Sequence, residues 1–370
     1  MNTQLTNIGR QRQGPGFTLV EVLVSLAVLA VLLTIIAQVL GQVQRVWSSA
    51  NSRVAQFREA RRAMDRIVSN LSQATMNTYL SYFYAGGGNP LVPNSMSLNT
   101  GPTGYVRYSE LQFLCGPSQT LTGLGAGESP GHAVFFQAPL GGSLEAPGIG
   151  GGEFVNLPTA LSACGYFIRF GDDRGFRPPF LNQRNHPPRR RFRLMEYRPP
   201  IEANVIYPDP AVAGAPGVPD PTWYNQIDTV ENEGGDNAGW ARMVAENIVY
   251  MVISPKLPVS DVPGDPRQIA PNYVYNTSAN GVVLAQAPTD FQLPPLVEVV
   301  LVALDETSAQ RFVDESGGGS PVWPNGIFNN ANDETFRSDL QQVEELLNDK
   351  KLNYRIFTTT IPLRNSKWGL

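Results

Sequence analysis

The chain has 370 residues, 42% of them apolar and 16% charged, with a formal net charge of −4. That apolar content excludes a disordered chain, the length suits one large core or two small ones, and the acidic balance argues against a nucleic-acid-binding head. Glycine (35) and proline (31) are both abundant, which points to short strands joined by many loops.

The first element is an apolar run from Phe17 to Leu40. Its one charge is Glu21, and its only polar residues after that are Ser25, Thr34 and Gln38. A secretory signal has an apolar core of about 7 to 15 residues. This run is longer and meets the roughly 20 residues that a membrane helix needs. A carboxylate in hydrocarbon costs roughly 2.5 to 3.5 kcal/mol, so Glu21 needs a partner or a purpose there. An ordinary signal anchor, with Glu21 tolerated near one interface, leaves the glycine directly before the run without a reason. Arg10 and Arg12 precede the span, and Arg45, Arg53 and Arg58 follow it, so flanking charge does not set the topology.

The order Gly16-Phe17-Thr18-Leu19-Val20-Glu21, followed by an apolar helix, resembles the type III signal of type IV pilins and type II secretion pseudopilins. The resemblance implies that a prepilin peptidase/methyltransferase cuts after Gly16 and N-methylates the new terminal residue, Phe17. It also implies that Glu21 is kept in the membrane for assembly with other pilins or pseudopilins, and that the amino terminus is cytoplasmic. Residues 1–16 are then a leader and 17–40 the membrane half of a long helix.

Beyond the membrane, Val43, Val46, Trp47, Ala50, Val54, Phe57, Met64, Ile67, Val68 and Leu71 recur at helical steps, with Ala60 filling the gap. The spacing predicts an amphipathic continuation over 41–76. A helix from Phe17 to Ala74 would be about 87 Å long. The opposite face carries Arg45, Arg53, Arg58, Arg61, Arg62 and Arg66 with Glu59 and Asp65. Such a face is normally solvated, and the functional alternative is contact with acidic surfaces of neighbouring subunits. Gly41 is a candidate bend.

Residues 77–370 read as a β-rich head. Strands are expected at 110–115, 133–137, 165–170, 191–197, 247–253, 296–304 and 354–362, and a surface helix at 336–350 with Leu340, Val343, Leu346 and Leu347 on one side. The run 296–304 is long and continuous enough for a central strand. Long connections at 86–105, 116–132, 141–152, 199–222 and 228–239 read as insertions. Strands without alternating helices imply an antiparallel sheet packed on the amino-terminal helix, hence an α+β fold.

Three phrases in the carboxy-terminal part, Val244-Ala245-Glu246-Asn247-Ile248-Val249-Tyr250, Gln292-Leu293-Pro294-Pro295-Leu296-Val297-Glu298-Val299-Val300-Leu301 and Tyr354-Arg355-Ile356-Phe357-Thr358-Thr359-Thr360-Ile361-Pro362, are similar to the J-type minor pseudopilin of type II secretion. The segments Cys164-Gly165-Tyr166-Phe167-Ile168-Arg169-Phe170-Gly171-Asp172-Asp173 and Arg191-Phe192-Arg193-Leu194-Met195-Glu196-Tyr197 resemble a cassette-encoded pilin-like family, Verru_Chthon cassette protein C.

No H-E-x-x-H, G-x-S-x-G, P-loop or C-x-x-C pattern occurs, so no catalytic residue is assigned. His132 and His186 each stand alone. Arg189, Arg190 and Arg191 form a short basic run that reads as solvated, with phosphate contact as the functional alternative. Glu231, Glu233, Asp236 and Asn237 make an oxygen-rich loop with ligands suited to calcium, although the spacing is not that of an EF-hand and a hydrated acidic loop is the plain reading. Cys115 and Cys164 would close a loop of about 50 residues worth roughly 4 kcal/mol if bonded. Two buried free thiols are the alternative.

The sequence therefore reads as a structural subunit, a minor pilin or pseudopilin anchored by a single pass in the inner membrane. No enzyme activity or cofactor is expected. The head is expected in the periplasm or on the cell surface, against other minor subunits or secreted cargo and not against nucleic acid. A tethered adhesin or binding protein, and an anchored enzyme of unrecognised type, are the competing classes.

Overall fold

The computed structural model describes residues 16, 18–84, 101–125, 127–143, 159–174, 177–184, 186–203, 206, 223–224, 227, 240–258, 269–280, 283–324, 326–331 and 333–368. By contacts the chain divides into two units, Met1–Arg53 and Val54–Leu370. Helix α1 covers Leu19–Leu71. No proline interrupts it, and it runs through Gly41 without a break. It closes in a tighter turn, in which Gln73 N–H donates to Asn70 O (3.1 Å) and Ala74 N–H to Leu71 O (3.0 Å), a usual way to satisfy the last carbonyls.

The head is antiparallel throughout, as the strand-rich pattern implies. A hairpin pairs β1 (Tyr79–Phe83) with β2 (Gly104–Tyr108). A six-stranded sheet contains β3 (Leu114–Pro117), β4 (His132–Ala138), β5 (Ser162–Gly171), β6 (Arg191–Tyr197), β7 (Ala241–Glu246) and β9 (Tyr275–Asn276) in the order β7-β6-β5-β4-β3-β9. A three-stranded sheet has β10 (Leu296–Leu304) between β8 (Ile248–Lys256) and β11 (Tyr354–Pro362). Short helices α2 (Ser118–Thr122) and α3 (Pro179–Gln183) precede α4 (Glu306–Glu315) and α5 (Asp333–Asp349). The expected central strand at 296–304 is therefore central, and β6 and β11 begin and end where expected.

Three differences have local causes. The strand expected at 110–115 starts only at Leu114, because Leu111 to Phe113 spend their N–H groups on side chains: Leu111 on Ser109 Oγ, Gln112 on Gln137 Oε1 and Phe113 on Thr277 Oγ1. The single strand expected at 247–253 is two strands broken at Asn247, whose φ is 59°. Asparagine tolerates that left-handed conformation. Its N–H donates to Phe192 O and its carbonyl accepts from Leu304 N–H, both at 2.9 Å, so one residue passes the chain from the six-stranded to the three-stranded sheet. Helix α4 was not expected; Asp305 caps it by accepting from Ser308 N–H at 2.7 Å.

Val134, Tyr166 and Glu196 lie in register on β4, β5 and β6 and so share a face, which meets the second half of α1. Phe135, Gly165 and Tyr197 form the neighbouring row on the other face, and Trp223 and Tyr224 pack there on Phe135. Gly165 is required at its position: a Cβ there would sit 2.2 Å from Phe135 Cδ1.

The apolar stripe is buried as the helical spacing implies. Ala60, Ala63, Met64, Ile67 and Leu71 are within the core, while Phe57 and Val68 pack on it partly buried; the Val54 side chain lies outside the described residues. The stripe joins the same core cluster as the 296–304 strand. Polar groups of the helix reach the six-stranded sheet: Asn70 and Arg66 meet β5 and β6, and the Glu59 carboxylate accepts from Glu246 N–H on β7 at 3.0 Å. Because Phe57 is only half-buried, Phe57→Ala is expected to cost about 1 to 2 kcal/mol, below the range for a fully buried phenylalanine. Arg58→Ala, on the exposed side, should cost under about 0.5 kcal/mol. Denaturation of a truncated chain beginning at Val43, which retains every described core residue, gives both values. Equal effects would show that the helix does not pack on the sheet.

Candidate functional site

The sequence places its chemistry at the start of α1, and there the structure supplies a defined geometry. Thr18 precedes the first helical residue, Leu19, and so occupies the N-cap, with Glu21 at the third helical position. Thr18 N–H and Thr18 Oγ1 both donate to Glu21 Oε2 at 3.0 Å, and Glu21 N–H donates back to Thr18 Oγ1 at 3.3 Å. This reciprocal pair is a capping box, which satisfies donors that a helix start leaves unpaired. The spacing Thr18-x-x-Glu21 carries that signature in the sequence, but treating Glu21 only as an assembly group passes over it. A carboxylate there also complements the positive end of the helix dipole.

Beyond the cap, Leu19–Gln44 (26 residues) is long and apolar enough to cross a membrane, and 0% of it is buried within the protein. It extends past the Leu40 limit expected from the sequence. Its hydroxyls are satisfied internally: Ser25 Oγ donates to Val22 O at 2.9 Å and Thr34 Oγ1 to Ala30 O at 2.8 Å. That arrangement suits a medium without water. Gly16 is exposed with nothing within 4 Å of an added Cβ, so the bond on its carboxyl side has no packed neighbour at that residue. Phe17 lies outside the described residues.

A second polar constellation joins helix to head within Val54–Leu370. Arg66 makes a two-pronged contact with Glu196, Nε to Oε1 at 2.9 Å and Nη2 to Oε2 at 2.5 Å. Tyr166 Oη donates to Glu196 Oε1 at 2.7 Å, and Asn70 Nδ2 reaches both Tyr166 Oη (2.7 Å) and Glu196 Oε1 (3.1 Å). The hydrogen bond to Glu196 holds the Arg66 guanidinium above its ordinary pKa, and burial pushes the Tyr166 phenol up. Arg66, expected on a solvated or subunit-facing surface, is exposed and at the same time paired with Glu196 of its own head.

The other singled-out residues do not assemble into a site. His186 is exposed and His132 buried. The Nδ1 atom of His132 accepts from Ile253 N–H at 3.1 Å, and its ring lies 4.8 Å from that of Tyr273. The basic run is divided. Arg191 is 6% exposed and bonded to Glu306 and Glu246, while Arg189 N–H donates to Asp173 and Arg190 to Gly318 O. Arg191 is thus unavailable to phosphate. Cys115 and Cys164 are free, buried thiols. Cys115 stands opposite Val134 and Cys164 opposite Phe136, with β4 between them. At about 4.8 Å per strand spacing their Cα atoms lie beyond the 7 Å or so that a disulfide spans. The bonded alternative is therefore excluded by strand order, and burial pushes both thiols above their ordinary pKa. Glu231, Glu233, Asp236 and Asn237 lie outside the described residues. Among the described residues no group of three or more His, Cys, Asp or Glu gathers as a metal site.

Residues 15–37 match the family model described as "Prokaryotic N-terminal methylation motif". No curated protein and no solved structure matches the chain. The matched segment contains Gly16, Thr18 and Glu21 and the first part of the exposed apolar helix, and it supports a type IV pilin-like or pseudopilin subunit anchored in a membrane.

Proposed function

We propose that this protein is a structural subunit of a type IV pilus or type II secretion-like filament. It is cut after Gly16, N-methylated at Phe17, held by one pass in the inner membrane with its amino terminus in the cytoplasm, and displays residues 77–370 outside. The observation that carries this reading is the methylation motif seated on an exposed apolar helix whose one carboxylate, Glu21, is retained in a capping box. Cleavage after Gly16 leaves the Phe17–Thr18 peptide intact, so the donors that hold Glu21 survive processing. In a filament, Glu21 would exchange that local bond for the charged terminal amine of a neighbour. Hydrocarbon screens such a contact poorly and strengthens it.

The narrower assignment is a minor, J-type subunit placed at or near the filament tip. It rests on the resemblance of three sequence phrases, which lie on or beside β7–β8, β10 and β11. The two phrases of the cassette-encoded resemblance fall on the paired strands β5 and β6.

Two measurements test the reading. Amino-terminal mass spectrometry of protein from its native host should find N-methylated Phe17. An intact Met1 end, or a cut beyond Leu40, overturns it. Glu21→Ala should leave membrane insertion intact, since removing a charge favours insertion. Recovery of partner pilins with it should fall about tenfold or more, as expected for losing a charge-assisted bond. Recovery at the wild-type level would remove Glu21 from assembly.

A further inference from the structure

We propose that the outer edge of β11 is a strand-addition site. Its occupant is an extended segment of another protein with an uncharged middle and carboxylates at its ends. β11 is the terminal strand of its sheet, with only β10 beside it. Leu363 N–H donates to Pro295 O at 3.0 Å and Asp305 N–H to Asn353 O at 3.1 Å. Both bonds continue the β10–β11 register, so odd-numbered residues of β11 exchange bonds with β10. By antiparallel alternation the N–H and C=O groups of Tyr354, Ile356, Thr358 and Thr360 point the other way. Among the described residues nothing hydrogen-bonds to them.

The opposite edge of the same sheet shows what a closed edge looks like. The same alternation points Ile253 of β8 outward, and His132 Nδ1 accepts its N–H. Gly131 packs so closely on Met251 that a Cβ would lie 2.2 Å from its carbonyl oxygen, and Pro255 has no N–H to offer. In the six-stranded sheet, β7 gives Glu246 N–H to Glu59, and β9 has two residues. β11 has nine residues, no register shift, no lysine, and proline only at its last position. Natural proteins usually blunt such an edge with charge, a bulge or a cover, because its open bonds recruit another strand.

Charge selects the occupant. Lys351, Arg355 and Arg364 are exposed at the two ends of β11 and make no ion pair among the described residues. Residues 356–361 between them are uncharged. Antiparallel pairing of two copies about Thr358 would set Lys351 of one opposite Asn365 of the other, one residue from Arg364, at both ends. Like charges so placed oppose pairing, whereas carboxylates at the ends of an incoming segment complement it. A partner with acidic ends therefore fits this edge and a second copy does not.

The test uses the full chain in detergent micelles and two nine-residue probes of alternating valine and threonine, one with aspartate and one with lysine at both ends. Binding of the aspartate peptide should slow hydrogen exchange about tenfold or more at the Ile356, Thr358 and Thr360 amides and leave Phe357 and Thr359 unchanged. It should also bind about tenfold tighter than the lysine peptide. Thr358→Pro removes an outward N–H that the ladder with β10 does not use, so it should weaken binding about tenfold. If that variant disturbs the thermal melt, an aspartate peptide N-methylated at alternate amides tests the same bonds against unaltered protein and should not bind. Absence of protection at the three amides overturns the site. Equal affinity for both peptides overturns the assigned partner chemistry, as does protection that rises with protein concentration alone, which would make a second copy the occupant.

Discussion

Arg66→Met is expected to destabilise the head by about 2 to 3 kcal/mol, below the range for a fully buried ion pair because Arg66 is half-exposed. The loss falls on Glu196, whose side chain is 2% exposed, rather than on Arg66, which is 49% exposed. Without the guanidinium the carboxylate keeps only neutral donors, Tyr166 Oη and Asn70 Nδ2, and stays shut away from water. Glu196→Gln should be milder, because the amide keeps the volume and an acceptor while the freed Arg66 can turn to solvent. Combining the two changes should recover part of the Arg66→Met loss, since the charge left stranded is then gone. Chemical denaturation of the truncated chain beginning at Val43 measures all three. An Arg66→Met cost below about 1 kcal/mol would mean that the pair behaves as an exposed surface bridge and does not hold the helix to the sheet.

His132 should make the head lose stability as the pH falls from 7 to 4. Burial disfavours the charged ring and lowers its pKa to about 4 against an ordinary 6.5. The unfolded chain therefore binds a proton between those values while the folded chain does not. Its contribution is fully present above pH 6.5 and is lost as the pH falls towards 4, by about 3 kcal/mol in all. Burial is the cause, and the backbone bonds to Ile253 and Phe328 only partly oppose it. His132→Asn retains an acceptor and removes the titration, so its denaturation midpoint should depend less steeply on pH over the same interval. Parallel profiles for the two proteins would exclude His132 as the cause.

The parts legible in the sequence were those governed by local pattern. An apolar run of helical length, the single carboxylate Glu21 and the glycine before Phe17 need no tertiary context to be recognised, because each is a property of contiguous residues. The Ala60–Leu71 stripe follows from helical periodicity, and the strands β6, β10 and β11 from runs rich in β-branched and aromatic residues. The break at Asn247 was not legible, since asparagine inside an apolar run becomes a turn only when Phe192 O and Leu304 N–H are present to fix it. Strand order was equally hidden. Cys115 and Cys164 sit on strands suited to pairing, and only the insertion of β4 between them keeps their thiols apart. The fate of Arg66 was decided the same way, because a helix wheel distinguishes charged from apolar faces but says nothing of a buried Glu196 130 residues away. The membrane anchor and the helix were thus determined by the sequence itself. Which polar groups meet across the head, and which edge of its sheet stays open, depended on contacts between residues far apart in the chain, and only the folded structure brings those together.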